Sequence, residues 1–477
     1  MQDTTTYESP LCSRYASKEM RELFSQDTRT KTWRRLWVAL ADAERKLGLP
    51  ITREQVQELE DHIDDIDYEA IAEKEKEIRH DVMAHVYGYG LVCPSAKGII
   101  HLGATSCYVT DNADIILYHE ALKMVRKKLL AVVANLADFA KKYKALPTLG
   151  YTHFQPAQPV TVGKRACLWM QDFELDFEEL MFVKDSLRML GSKGTTGTQA
   201  SFLELFEGDH RKVKQLDRAI ADAFSMPGCY YVSGQTYPRK ADSRILNVLS
   251  SIAQSAHRFA NDMRLLQHMH EVEEPFEKHQ VGSSAMAYKR NPMRSERICS
   301  LSRYVMANAQ NGPMTASTQW LERTLDDSAN RRISLPEGFL AVDAILNLLL
   351  NVTDGLVVYP AVVKKNLMEH MPFMATENLL MAAVKKGGDR QELHEVIREH
   401  SMAAAARMKE EGAPCDLLKR LADDGRLGLK EEELNDVLDP ALYVGRAPEQ
   451  VDEYLEEFIE PLLAREKAGH MHAEINV

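Results

Sequence analysis

The sequence predicts an all-α protein: three helical domains, the central one a bundle of long helices. Long stretches carry apolar residues at three- and four-residue steps, the period of a helix with one buried stripe. No proline interrupts the longest of them after its first residues, where one would break the helix. Strand signals are scarce, with Cys229 to Val232 the one short candidate.

Taken in order, the helices before Gly103 are short and charged, as in Glu69 to Ile78. From Ala121 to Ala145 the apolar positions are Leu122, Val125, Leu129, Val132, Val133, Leu136 and Phe139. The opposite positions Lys123, Arg126, Lys127, Lys128, Lys141 and Lys142 read as a solvated face. Further long patterns run from Val162 to Leu190, Arg239 to Val272, Arg294 to Asn311 and Leu335 to Asp354. After Tyr359-Pro360 the helices shorten and alternate with loops such as Gly412-Ala413-Pro414. This predicts domains over 1–105, 106–358 and 359–477. The long helices pack most simply as an antiparallel bundle. The turn-rich connections His101 to Thr110, Gly150 to Pro159, Gly191 to Gln199 and His279 to Asn291 are where functional groups are expected.

Composition excludes several classes. A chain of 477 residues with 45% hydrophobic content can build a large core without disulfides. Its net charge of -12 argues against a nucleic-acid-binding surface, so an anionic substrate needs a local cluster of cations. The seven cysteines are odd in number, scattered and without a Cys-x-x-Cys, which predicts reduced thiols in a cytoplasmic protein. Met1 to Pro10 is polar and carries Asp3 and Glu8, unlike a signal peptide. The apolar run Ala341 to Val352 is broken by Asp343, Asn347 and Asn351. It reads as too short and too polar to span a bilayer, so no membrane partner is expected.

The stretch Gln280 to Pro292 is the most informative. It combines Gly282, two hydroxyls, Lys289, Arg290, Asn291 and a proline that can open the next helix. By composition it is either a helix-capping turn or a catalytic loop. It also resembles the Gly-Ser-Ser-x-Met-x-x-Lys-x-Asn signature of the fumarase/aspartase superfamily, through Gly282, Ser283, Ser284, Met286, Lys289 and Asn291. The resemblance implies a homotetrameric helical fold whose helices form the tetramer core. It also implies a reaction that releases fumarate by breaking a C–N or C–O bond.

That chemistry suits these residue types. A proton leaves a carbon beside a carboxylate, and the resulting aci-carboxylate needs fixed donors and cations. Lys289 and Asn291 supply them. A serine acts as base only where positive charge stabilises its alkoxide. The resemblance gives Ser283 that role, with Ser284 a supporting donor. The departing amine needs an acid, and histidine suits proton transfer near neutral pH. Thr152-His153-Phe154-Gln155-Pro156-Ala157 resembles the superfamily's Thr-His-x-Gln-x-Ala region, which implies that His153 is the general acid.

Other segments resemble one family within the superfamily, the adenylosuccinate lyases. They are Ser13 to Ser17, Lys76 to His85, Ile100 to Tyr108, Lys193 to Gln199, Ser233 to Tyr237, Glu322 to Arg332 and Tyr443 to Arg446. This implies cleavage of adenylosuccinate to AMP and fumarate, and of the succinylated aminoimidazole carboxamide ribotide likewise. It implies no cofactor or metal, and a tetramer whose active sites are each built from three chains. Phosphate calls for arginine forks and hydroxyls. By resemblance Arg14, Tyr15, Arg323, Ser328 and Arg332 hold the nucleotide end. Thr105, Ser106, Gln235, Lys289 and Asn291 face the carboxylates. Arg79, His80 and Asp81 line the centre, His80 assisting the acid step, and Arg297 is a further contact. Asp326 to Ala329 could also cap a helix, and Arg331 is expected to pair with Asp326 or Asp327, outside the site.

One position departs from the family. Ala287 stands where its members usually carry proline, which frees φ and adds an N–H. His268-Met269-His270, read as lying within a helix, and His470-Met471-His472, read as a tail, are not taken as metal sites. Gly191 to Thr196 lacks the order of a P-loop. A sibling lyase acting on argininosuccinate lacks a use for the phosphate-binding arginines. A structural relative that lost activity would not need Ser283, His153 and Lys289.

Overall fold

The computed structural model describes residues 5–277, 280, 285–428, 434 and 437–473. It is an all-α protein. Near the N-terminus lie α1 (Gln26–Lys46), α2 (Tyr68–Ile78) and α3 (Asp81–Val92). Five long helices follow: α4 (Ser106–Lys142), α5 (Val162–Ser186), α6 (Lys240–His268), α7 (Met293–Asn308) and α8 (Asp326–Asp354). α4 packs along α5 and α8, and α6 packs against α5, α7 and α8. One apolar core joins Trp37 of α1, Leu122 and Val132 of α4, Phe173 of α5, Phe259 of α6 and Leu346 of α8, and reaches Ile459 near the C-terminus. A second cluster, around Leu379, Leu393, Val396, Leu417 and Leu421, fills the short C-terminal helices.

Several elements differ from the sequence expectation. α4 begins at Ser106, well before Ala121, because its first turns bury the polar Asp111 and Asn112, which hide the apolar stripe. Lys128 is not on a solvated face: it pairs with the fully buried Asp343 of α8. α8 begins at Asp326 and carries Pro336 inside it. The neighbouring turn is held from outside by Asn308, whose Nδ2 donates to the Ser334 carbonyl at 2.7 Å. By length and composition α8 could cross a membrane, but 78% of its apolar stretch is buried inside the protein. α6 stops at His268, so His270, at φ +59°, lies beyond the helix. The stretch 294–311 gives α7 and then a separate helix, Asn311–Ser317.

The Gly150 to Pro159 connection is not a loop but part of a twisted ribbon, β1 (Pro147–Thr152) paired antiparallel with β2 (Gln155–Thr161). A two-stranded ribbon tolerates Pro156 and Pro159 because the outer edge of each strand needs no N–H donor. Cys229 to Val232 forms no strand; Cys229 makes one isolated bridge to Met189. The residues around His470 are not a tail. His470 Nδ1 meets Asn135 Oδ1 at 2.8 Å, and His472 Nδ1 meets Asp354 Oδ2 at 3.4 Å. All seven cysteines are free of disulfides.

Glu44 of α1 is fully buried, and neither of its carboxylate oxygens finds a hydrogen-bond partner among the described residues. Burial pushes its carboxyl from 4.5 up to about 8. The folded protein therefore keeps this proton over a range where the unfolded chain has released it. Stability falls as pH rises through that range, by up to about 1.4 kcal/mol per unit. Glu44→Gln is expected to raise the melting temperature at the upper end of the range and to leave it nearly unchanged at the lower end. Thermal melts at the two pH values check this; an equal gain at both would refute it.

Candidate active site

The chain reverses sharply between α2 and α3. Arg79 takes a left-handed conformation, φ +56°, and its N–H donates to the Glu75 carbonyl at 2.8 Å. This places His80 at the N-cap of α3, where Nδ1 accepts from the Met83 N–H at 3.3 Å. With Nδ1 an acceptor, the neutral ring carries its proton on Nε2, which stands 3.4 Å from Ser106 Oγ. Ser106 is the first residue of α4, whose unsatisfied N–H groups favour negative charge. Asp81 follows His80 and pairs with Arg332 of α8 at 3.3 Å.

These residues line one cleft of about 810 Å³, together with Gln235, Arg323 and Ser328. Six arginines contribute to it: Arg29, Arg79, Arg239, Arg323, Arg331 and Arg332. Five acids, Glu75, Asp81, Asp111, Asp114 and Asp327, line it too, and the last four pair with Arg239, Arg323, Arg331 and Arg332. The cleft thus holds a slight excess of cations within a chain of net charge -12.

The 191–199 loop supports Gln235 from outside the cleft. Its lysine is an internal anchor: Lys193 is buried and pairs with Asp217, which also accepts from Ser192 N and Oγ at 2.7 and 2.8 Å. Gly191 and Asn112 exchange two hydrogen bonds. Gly197, at φ +82°, runs so close to the next segment that a Cβ there would sit 1.9 Å from the Ser233 carbonyl. Gln235 is held between the two segments. Its Nε2 donates to the Thr195 carbonyl at 3.0 Å, and its Oε1 accepts from Cys107 Sγ at 3.6 Å. Burial keeps that thiol protonated, pushing it up to about 12.

The cleft's lining includes a charge network that the sequence pattern does not reveal. Arg239, before α6, forms a fork with Asp111 of α4 at 2.9 and 3.2 Å and donates from Nε to Asp327 of α8 at 2.6 Å. Arg331 pairs with Asp242 at 2.5 Å and Asp114 at 3.0 Å, not with Asp326 or Asp327. Both guanidiniums stand over the Tyr237 ring, 4.5 and 5.3 Å from its centre. Helix capping by Asp326 to Ala329 is also absent: Leu325 is the N-cap, with no side-chain bond. One signal was available in the sequence, namely acids at three-residue spacing, Asp111 and Asp114, in the first turns of α4.

Other expected site residues stand elsewhere. Arg14, Tyr15 and Arg297 line a second cavity of about 620 Å³, with the Arg297 guanidinium 5.6 Å from the Tyr15 ring centre. Thr105 is the N-cap of α4, beside Ser106, and lines neither cavity. His153 is exposed at the tip of the ribbon, where it and Phe154 both take positive φ, +53° and +60°. Lys289 and Asn291 lie on the loop before α7. Ser283 and Ser284 lie outside the described residues.

The loop's base is firmly held. Glu274 accepts from the N–H groups of Arg294 and Ser295, both at 3.0 Å, and Arg290 pairs with Glu273 at 3.2 Å. Met286 to Lys289 form a turn closed by the Lys289 N–H on the Met286 carbonyl at 3.0 Å. Ala287 is the second residue of that turn, the position proline favours. Ala287→Pro is therefore expected to stabilise the protein by about 0.4–1 kcal/mol, through the unfolded state. A rise in melting temperature checks this; a fall would show that the turn rejects the ring.

Comparison with known proteins gives a consistent result. A family described as "Lyase" matches residues 13–307, and one described as "Adenylosuccinate lyase C-terminus" matches 372–454. The chain is 50% identical to the adenylosuccinate lyase of Schizosaccharomyces pombe, over 97% of each chain. It is 52% identical to that of Saccharomyces cerevisiae, over 96% of this chain and 95% of the other. Among solved structures it is similar to a 3-carboxy-cis,cis-muconate lactonizing enzyme from Pseudomonas putida. That match has TM-score 0.81 and 23% identity, over 93% of this chain and 98% of the other. It is also similar to a fumarate lyase from Mesorhizobium sp. BNC1, with TM-score 0.79 and 24% identity, over 93% and 99%. These last two likenesses concern the fold.

Proposed function

The chain belongs to the adenylosuccinate lyase family, in the fumarase/aspartase superfamily, and from that premise we propose how its residues divide the reaction. It is a C–N lyase that splits adenylosuccinate into AMP and fumarate. Ser283 takes the proton from the carbon beside a succinyl carboxylate. The electron pair passes into that carboxylate, where Lys289 and Asn291 meet the developing charge. The C–N bond then breaks, and His153 protonates the departing nitrogen, assisted by His80. Thr105, Ser106, Gln235 and Ser284 hold the carboxylates. Arg14, Tyr15, Arg323, Ser328 and Arg332 hold the phosphate and ribose, with Arg79, Asp81 and Arg297 around them. The succinylated aminoimidazole carboxamide ribotide is a second substrate with the same leaving geometry.

One observation carries the reading. Residues from four distant stretches, Arg79 to Asp81, Ser106, Gln235 and Arg323 to Arg332, share one arginine-rich cleft. The active enzyme is a homotetramer with shared sites. Supporting this, Arg14, Tyr15 and Arg297 line a different cavity from that cleft, and His153 stands on an exposed tip. Leu168, Leu175 and Phe182 also form an apolar stripe along α5, 37%, 55% and 63% exposed, which is suited to a second copy of the chain. The separate apolar cluster near Leu379 supports a domain boundary near 358; the boundary at 105 belongs to the same proposal. Seven free thiols support a cytoplasmic setting.

The test is to supply the purified protein with adenylosuccinate and, separately, argininosuccinate, and to follow fumarate. Release from adenylosuccinate is expected. Release from argininosuccinate alone would assign the chain to the sibling reaction.

A further inference from the structure

Arg323 is anchored in the cleft by the fold itself. Its Nη1 donates to Asp327 Oδ1 at 2.8 Å and to the neighbouring Thr324 carbonyl, and its side chain is 22% exposed. Asp327 itself is fully buried and splits its two oxygens between two arginines. Oδ1 receives Arg323, and Oδ2 receives Arg239 Nε at 2.6 Å. Arg239 is in turn fixed by its fork to Asp111, so Asp327 cannot swing without breaking a buried pair. The chain of contacts runs from α4 through Arg239 to Asp327 of α8 and ends on Arg323, whose side chain is 22% exposed where that of Arg239 is 2%.

We propose that Asp327 is a positioning residue: it aims the Arg323 guanidinium at the nucleotide end of the substrate and does not touch the substrate itself. The inference rests on the reading above, in which Arg323 meets the phosphate and ribose. The physical reason is that an arginine fork recognises phosphate only in a fixed plane. An exposed arginine would lose side-chain freedom at each binding event; one already held by a buried carboxylate has lost it beforehand. Burial opposes the charge on Asp327, but Arg239 and Arg323 hold its carboxyl below the usual range, so the anchor stays ionised.

Asp327→Asn tests this. The amide can still accept from Arg239 with its oxygen, but its NH₂ then faces the Arg323 guanidinium, donor against donor. The readout is the ratio of kcat/KM for adenylosuccinate to kcat/KM for the nucleoside that lacks only the 5′-phosphate. Asp327→Asn is expected to lower this ratio about 10- to 100-fold, mainly through KM, as Arg323→Ala does. A general loss of folding would lower both substrates together and leave the ratio in place. Should Asp327→Asn not fold, Asp327→Glu carries the test. It retains the charge and the Arg239 pair but displaces Arg323 by a methylene, and a smaller fall in the same ratio is expected. A folded Asp327 variant with an unchanged ratio, beside an Arg323→Ala enzyme with a lowered one, would overturn the positioning role. An unchanged ratio in Arg323→Ala would instead overturn the assignment of Arg323 to the nucleotide end, and this inference with it.

Discussion

His153→Ala is expected to lower kcat by about 10²- to 10⁴-fold, the usual contribution of a positioned general acid, while the helical fold and the assembly survive. Survival follows from the location. His153 is exposed at the ribbon tip, so its loss leaves no cavity. The backbone there points the same way. A two-residue hairpin turn with both central φ values positive favours Asn-Gly, yet this one carries His153 and Phe154. Each such residue costs about 1–2 kcal/mol relative to the ordinary region. A sequence that keeps a strained histidine where a strain-free pair would close the turn is consistent with a use for the imidazole. Ser283→Ala is expected to fall by a similar factor. The shared-site arrangement gives a second measurement. Inactive His153→Ala and inactive Ser283→Ala, mixed under conditions that exchange subunits, should regain activity, because some sites then draw both residues from unmutated chains. Near-normal turnover of His153→Ala would remove it from the acid role. Mixtures that stay inactive after exchange would remove the shared site.

What the sequence made legible, and what it hid, divides along a physical line. Helices with an uninterrupted apolar stripe, such as the Leu122 to Phe139 portion of α4, could be read from their period. Helix starts that bury charge could not. The first turns of α4 and α8 hold Asp111, Asn112, Asp327 and Arg331, and these positions look solvent-facing until their partners on other helices are known. Lys128 misled for the same reason, its partner Asp343 lying more than two hundred residues away. The ribbon was hidden by Gly150, Pro156 and Pro159, each a poor strand residue that an isolated two-stranded element accepts. Motif resemblance singled out Arg79, His80, Asp81, Ser106, Gln235, Arg323, Ser328 and Arg332, and these line one cleft. It could not say that Arg14, Tyr15 and Arg297 would line another cavity, since no local pattern records which surfaces of one chain face each other. Arg239 was missed because a single arginine before a helix carries no periodic signal.

Arg331→Ala is expected to destabilise the protein by about 3–5 kcal/mol, the range for a buried ion pair that loses one partner. The guanidinium is only 7% exposed and serves Asp242, Asp114 and the Tyr237 hydroxyl at once. Removing it strands the buried Asp242 and leaves Asp114, at the edge of the cleft, without its cation, so the desolvation of these carboxylates is no longer offset by attraction. Burial already raises the Asp114 carboxyl above its usual range, and Arg331 is the first of the charges that restrain the rise. Without Arg331 the Asp114 carboxyl rises further. A raised carboxyl loses stability as pH climbs from the unfolded value to the folded one, so the defect should be larger near neutral pH than in mild acid, which lies closer to the unfolded value. Arg331→Lys should recover only part of the loss, because one ammonium cannot reach Asp242, Asp114 and Tyr237 in the directions a guanidinium fork provides. Melting temperatures of the three proteins at neutral pH and in mild acid decide the matter. A small, pH-independent defect in Arg331→Ala would mean that the network relaxes around the gap, and that the arginine shapes the wall behind Arg332 without holding α4, α6 and α8 together.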